Sequence, residues 1–136
     1  MSLPSSEIST AEDAAVVARE WLETWPKDRP TSIPGSTGKR EAFLPVPESA
    51  ISTPGWRGVY GVVEKKDGTL VVEKFMYPDR KPSARESLPW CRLYASYNPN
   101  DKSGGGQGQE YWKEKFRATV VQFLIEMEGE SINEEG

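Results

Sequence analysis

The stretch Val59-Tyr60-Gly61-Val62-Val63-Glu64-Lys65-Lys66-Asp67-Gly68-Thr69-Leu70-Val71-Val72 decides the fold. Two valine-rich runs flank an Asp-Gly dipeptide, and glycine readily reaches the positive φ that a tight hairpin turn demands. A two-residue turn at Asp67-Gly68 predicts Val63 opposite Val72 and Tyr60 opposite Phe75. One face then carries Val59, Val63, Leu70, Val72 and Met76, and the other carries Tyr60, Val62, Val71, Phe75 and Tyr77. Both faces are partly apolar, so both are expected to touch a helix, a loop or a partner.

Downstream of this hairpin, residues 90–97 read as a third strand. Cys91, Leu93, Ala95 and Tyr97 fall on one face, and Trp90, Arg92, Tyr94 and Ser96 on the other. Upstream, residues 26–54 are punctuated by prolines. Within them Ala42-Phe43-Leu44-Pro45-Val46 is the piece expected to anchor on the core, and a further strand has room between Phe43 and Ile51.

A helix is expected on each side of the strands. In the first, Ser9-Thr10-Ala11-Glu12 fits a capping box. Ala14, Val17, Ala18, Trp21, Leu22 and Trp25 then recur at helical spacing, and Pro26 ends the helix near residue 24. The second is expected over residues 109–127, with a core stripe of Trp112, Phe116, Val120, Phe123, Leu124 and Met127 widened by Val121 and Ile125. The fold class is therefore α+β: an antiparallel three- to four-stranded meander packed against an N-terminal and a C-terminal helix. A single domain is expected over 9–128, with 1–8 and 129–136 as frayed termini.

Over residues 60–65, and in the order meander then helix, the chain resembles chromo-type domains. The N-terminal helix and the long inserts depart from that pattern, and no functional residue is carried over from it.

Composition excludes more than it assigns. A net charge of −4 lacks the basic excess typical of duplex nucleic-acid binders. No apolar run approaches the roughly 18 residues needed to span a bilayer. With one cysteine, Cys91, no disulfide forms within the chain, and no secretory signal is evident. The expected compartment is the cytoplasm. The chain has no histidine, which removes Ser-His-Asp and Cys-His catalysis and ordinary zinc sites.

The remaining candidates for chemistry each meet a plainer reading. The run Gly104-Gly105-Gly106-Gln107-Gly108 precedes a helix, but no P-loop lysine follows and Asp101 and Glu110 flank it. Glu64 with Glu73, or Glu12 with Asp13, offer carboxylate pairs. Glu73 stands out, opposite Val62 on an apolar face, although Lys74, Arg57 or Arg92 are at hand to pair with it. Cys91 is expected to be a buried, inert thiol.

The five tryptophans are an excess for this length. Trp21, Trp25 and Trp112 fall on helical core stripes. Trp56 and Trp90 stand at strand entrances near Tyr60 and Tyr94, and aromatics so placed can line a binding cleft. Trp56, Tyr60, Trp90 and Tyr94 are thus the expected ligand-binding residues, with no catalytic residue, metal or cofactor. The expectation is a non-enzymatic domain that binds a protein or peptide through an aromatic cleft or the exposed hairpin. A small-molecule or enzymatic α+β cup, with Glu73 and Tyr94 in its pocket, is the alternative. Single-stranded nucleic-acid binding by stacking is a weaker one. A homodimer is left open.

Overall fold

The computed structural model describes residues 4–28, 38–80, 91–100 and 107–135, the side chains of the last segment over 110–128. The architecture is the expected α+β meander. Helix α1 (Ala11–Thr24) precedes strands β1 (Arg40–Pro45), β2 (Trp56–Glu64), β3 (Leu70–Pro78) and β4 (Cys91–Tyr97), and helix α2 (Gln107–Glu135) follows. The strands form one antiparallel sheet in the order β1-β2-β3-β4. β1 is built on the anchored piece 42–46, so the sheet has four strands.

The central hairpin corrects the expected register by one residue. Val62 pairs with Val72, Tyr60 with Lys74 and Gly61 with Glu73. The turn runs over residues 65–68, closed by the Gly68 N–H on the Lys65 carbonyl at 3.0 Å, while the Lys65 N–H bonds to the Thr69 carbonyl at 2.9 Å. Gly68 has φ +93°, and no non-glycine residue described here has positive φ. A two-residue type I′ turn needs positive φ at both central positions, so Asp67 would have had to adopt it. The three-residue loop spares Asp67 that conformation and leaves only Gly68 in the left-handed region.

A one-residue slip exchanges faces. Tyr60, Val62, Leu70 and Val72 now share a face with Ala42, Ala95 and Tyr97, and both helices cover it. Val59, Phe75 and Phe43 gather on the other face, with Tyr77 against them. Tyr60, Phe116 and Phe123 are fully buried between sheet and helices, along with Val17, Leu70 and Val120. The Tyr60 and Phe123 rings lie 4.9 Å apart, and Trp21 stacks on Trp25 at 4.6 Å. Fully burying each such side chain contributes about 1.5–3 kcal/mol.

The α1 cap sits one residue later than expected. Thr10 Oγ1 accepts the Asp13 N–H at 3.1 Å, and Asp13 Oδ2 accepts the Thr10 and Ser9 N–H groups at 3.2 Å. Thr10, not Ser9, is the cap, and its third successor is Asp13. Glu12 is freed to accept the Tyr97 hydroxyl at 2.8 Å.

Helix α2 runs past its expected end at Met127 to Glu135. Gly129 costs a helix about 1 kcal/mol, too little to stop it. The segment before α1, expected to fray, lies against α2. Ile8 is buried, Ser5 Oγ donates to Glu128 Oε2 at 2.9 Å, and Arg117 donates to the Ile8 carbonyl at 3.2 Å. Trp112, expected in the core, is exposed.

Candidate functional site

The three expected ligand-binding residues within the described structure do not converge. Tyr60 is fully buried on the helix-covered face, where its hydroxyl donates to Glu126 Oε1 at 2.5 Å. Tyr94 pairs with Glu73, hence stands on the opposite face of the sheet, and is exposed. Trp56 is half-buried at the start of β2. It lines an open cleft of about 620 Å³ with Val46, Ile51, Pro54, Val59 and Tyr77, rimmed by the Arg57–Asp79 ion pair at 2.9 Å. Trp90 lies outside the described residues. A single aromatic cleft shared by Tyr60, Trp56 and Tyr94 is therefore not what the fold builds, because strand alternation sends Tyr60 and Tyr94 to opposite faces.

Two other side chains singled out above find plain roles or surprises. Glu73 is buried opposite Gly61 and forms an ion pair with Arg92, whose guanidinium in turn lies 4.3 Å from the Tyr94 ring centroid. The plainer reading of Glu73 is thus the observed one. Cys91 is exposed rather than buried. It pairs with Met76 at the far end of β4 from the buried Ala95 and Tyr97. Among the described residues no group of three or more Cys, Asp or Glu side chains is placed to hold a metal ion, and no helix is long and apolar enough to cross a membrane.

The feature that does converge is the outer edge of β4. The Lys65 N–H bonds to Thr69, and the Asp79 N–H bonds to the Gly55 carbonyl at 2.8 Å. Odd-numbered residues of β3 therefore turn their backbone groups towards β2, and even-numbered ones towards β4. Their β4 partners are Cys91, Leu93, Ala95 and Tyr97. It follows that Arg92, Tyr94 and Ser96 direct their backbone N–H and C=O groups away from the sheet. Among the described residues no strand lies beyond them. The other edge is treated differently: the outward Phe43 N–H of β1 is taken by the Pro26 carbonyl at 2.8 Å, and Pro45 ends that strand.

Three large exposed apolar side chains stand on or beside β4, Leu93, Tyr94 and Trp112, and Tyr111 adjoins Trp112. Leu93 is 46% exposed, Tyr94 43%, Tyr111 61% and Trp112 45%. Tyr111 and Trp112 meet edge to face at 5.3 Å. The Lys115 ammonium lies 5.7 Å from the Tyr94 centroid and 5.1 Å from that of Trp112. Lys115 belongs to α2 on one face and Tyr94 to the other, so this side chain passes the β4 edge. Past Ser96 the edge opens into a groove of about 480 Å³ lined by Thr69, Ser96, Trp112 and Lys113, with Asp67 on its wall. Arg92, Lys113 and Lys115 stand along this edge with acids among them: Glu73 pairs with Arg92, Glu110 pairs with Lys113, and Asp67 lies on the groove wall.

The residues missed by sequence reasoning are Leu93, Tyr111 and Trp112, whereas Lys115 stands out in the sequence with Lys113 and Arg117 as a basic patch, read there as solvated surface charge. One signal was present. Tyr111 and Trp112 are adjacent, and neighbours on a helix point about 100° apart, so both cannot sit at the centre of one buried stripe.

No family model, curated protein or solved structure matches this chain.

Proposed function

We propose that this chain is a non-enzymatic protein- or peptide-binding module whose β4 edge takes an extended segment as an added strand. The observation that carries the proposal is the outward-facing backbone of Arg92, Tyr94 and Ser96 beside the exposed Leu93, Tyr94 and Trp112. An open sheet edge supplies main-chain hydrogen bonds, and the flanking side chains supply the contacts that choose among sequences. Large exposed aromatics beside such an edge are an aggregation hazard unless a partner covers them. The filled core counts against the alternative of a ligand-holding cup beneath the sheet, because Tyr60, Phe116 and Phe123 occupy that space. The module is proposed to act in the cytoplasm, a reducing compartment in which a lone exposed thiol stays free.

Binding of peptides selected from a displayed random library tests the proposal. Ser96→Pro removes one outward N–H without touching the β3–β4 ladder, and edge strands tolerate such prolines. Selected peptides are expected to lose most of their affinity for Ser96→Pro and for Trp112→Ala, while both variants keep the wild-type circular dichroism spectrum. Peptides that bind both folded variants as well as they bind the parent would overturn the proposal.

A second reading, small-molecule binding, rests on the Trp56 cleft, whose volume of about 620 Å³ is typical of ligand pockets. Fragment binding that shifts the Trp56 indole resonance, and is lost in Trp56→Ala, would support it. No fragment contacting Trp56 would remove it.

A further inference from the structure

We infer that the strand accepted by the β4 edge is acidic and that Lys115 selects it; the inference rests on the strand-addition reading above. Lys115 is held where an added strand would run, its ammonium between the Tyr94 and Trp112 rings. Among the described residues its neighbouring cations are already engaged by acids: Arg92 with Glu73, Lys113 with Glu110 at 3.7 Å, Arg117 with Glu114. No ion pair among those residues engages Lys115.

A lysine at a sheet edge ordinarily guards it, because a strand that pairs there must desolvate the ammonium. An uncharged strand offers no compensation. A second copy of this chain paired edge to edge brings its own Arg92 and Lys115, and so adds repulsion. A strand with carboxylates at alternate positions does the reverse: it neutralises Lys115 and reaches the remaining donors of Arg92, whose side chain is 38% exposed. Further along, Lys113 at the groove beyond Ser96 is paired with Glu110 and Asp67 stands on the groove wall, so the preference is confined to the stretch beside Arg92 and Lys115. The occupant that best fits this edge is thus an extended, alternating segment rich in Asp or Glu.

Three synthetic peptides on one Thr-Val frame, differing only in Glu, Gln or Lys at alternate positions, make the test by fluorescence anisotropy. Two surface charge pairs predict that the Glu peptide binds about fivefold tighter than the Gln peptide, and tighter still than the Lys peptide. The advantage is expected to shrink as salt rises. It is expected to vanish largely in Lys115→Gln. Equal binding of the Glu and Gln peptides would overturn the acidic preference and leave strand addition standing. A Glu preference undiminished in Lys115→Gln would overturn the role of Lys115. If none of the three peptides binds, strand addition on this edge fails, and the inference fails with it.

Discussion

The Tyr60 hydroxyl donates to Glu126 Oε1 at 2.5 Å, and this bond ties the middle of the sheet to the C-terminal half of α2. Lys74 bonds both oxygens of the same carboxylate at 3.0 Å, and Gln122 donates to one of them at 3.0 Å. Burial alone would raise the Glu126 pKa. The hydrogen bonds from Gln122, Tyr60 and Lys74 outweigh it, so the pKa lies below the usual 4.5. A depressed carboxylate contributes stability above its unfolded pKa and loses it as pH falls through the folded value. Glu126→Gln is therefore expected to be less stable than the parent at neutral pH, with the gap narrowing below about pH 4. Urea melts across that range check it; a gap that stays constant with pH contradicts it.

Tyr97 and Glu12 make the corresponding link between β4 and α1. Burial, then the bond to Glu12, pushes the Tyr97 phenol up to about 12, and the same bond lowers the Glu12 carboxyl. A raised pKa contributes stability that is complete below the unfolded value, near 10, and is lost as pH rises towards 12. Alkaline titration of tyrosine absorbance is expected to lose a late-titrating phenol in Tyr97→Phe. The variant is also expected to lose less stability between pH 10 and 12 than the parent.

Gly58 lies where β2 crosses beneath Val46 and Met76. A Cβ there would sit 2.5 Å from Met76 Sδ and 2.9 Å from Val46 Cγ2. The methionine can swing aside, but the valine, at the start of the β1–β2 connection, has little room. Gly58→Ala is expected to destabilise by about 1–3 kcal/mol, the usual cost of overpacking. Thermal melts measure it, and an unchanged midpoint would contradict it.

Arg92 serves both the fold and the proposed site. Its removal leaves the buried Glu73 carboxylate without its partner, at a cost of about 2 kcal/mol. Arg92→Met with Glu73→Leu removes both charges, and much of that loss is expected to return. A double variant no more stable than Arg92→Met alone would show that the pair is not what the single change breaks.

Much of the fold was legible because it rests on periodicity. Every apolar residue named for α1 is buried, and the meander order follows from three strand-like runs and two helical ones. The hairpin register was not legible, because Asp-Gly fits two loop lengths and both faces of the hairpin are apolar. Burial pattern, which usually fixes register, could not choose between them. The site was legible only in part. Tyr94 lies at the proposed edge, but Tyr60 became core once the register shifted. Trp112 shares the helical phase of Phe116 yet lies a turn nearer the start of α2, where its ring is not covered. Periodicity reports which side of a helix is apolar, not where the sheet beneath it ends.

Hydrogen exchange at individual amides tests the central claim most directly. When the Glu-bearing Thr-Val peptide is added, the amides of Arg92, Tyr94 and Ser96 are expected to slow together, since they alone on β4 face outwards. Those of Leu93 and Ala95, already bonded to β3, are expected to change little. Peptide binding that leaves Arg92, Tyr94 and Ser96 exchanging at their free rates, with protection elsewhere, would contradict strand addition on β4.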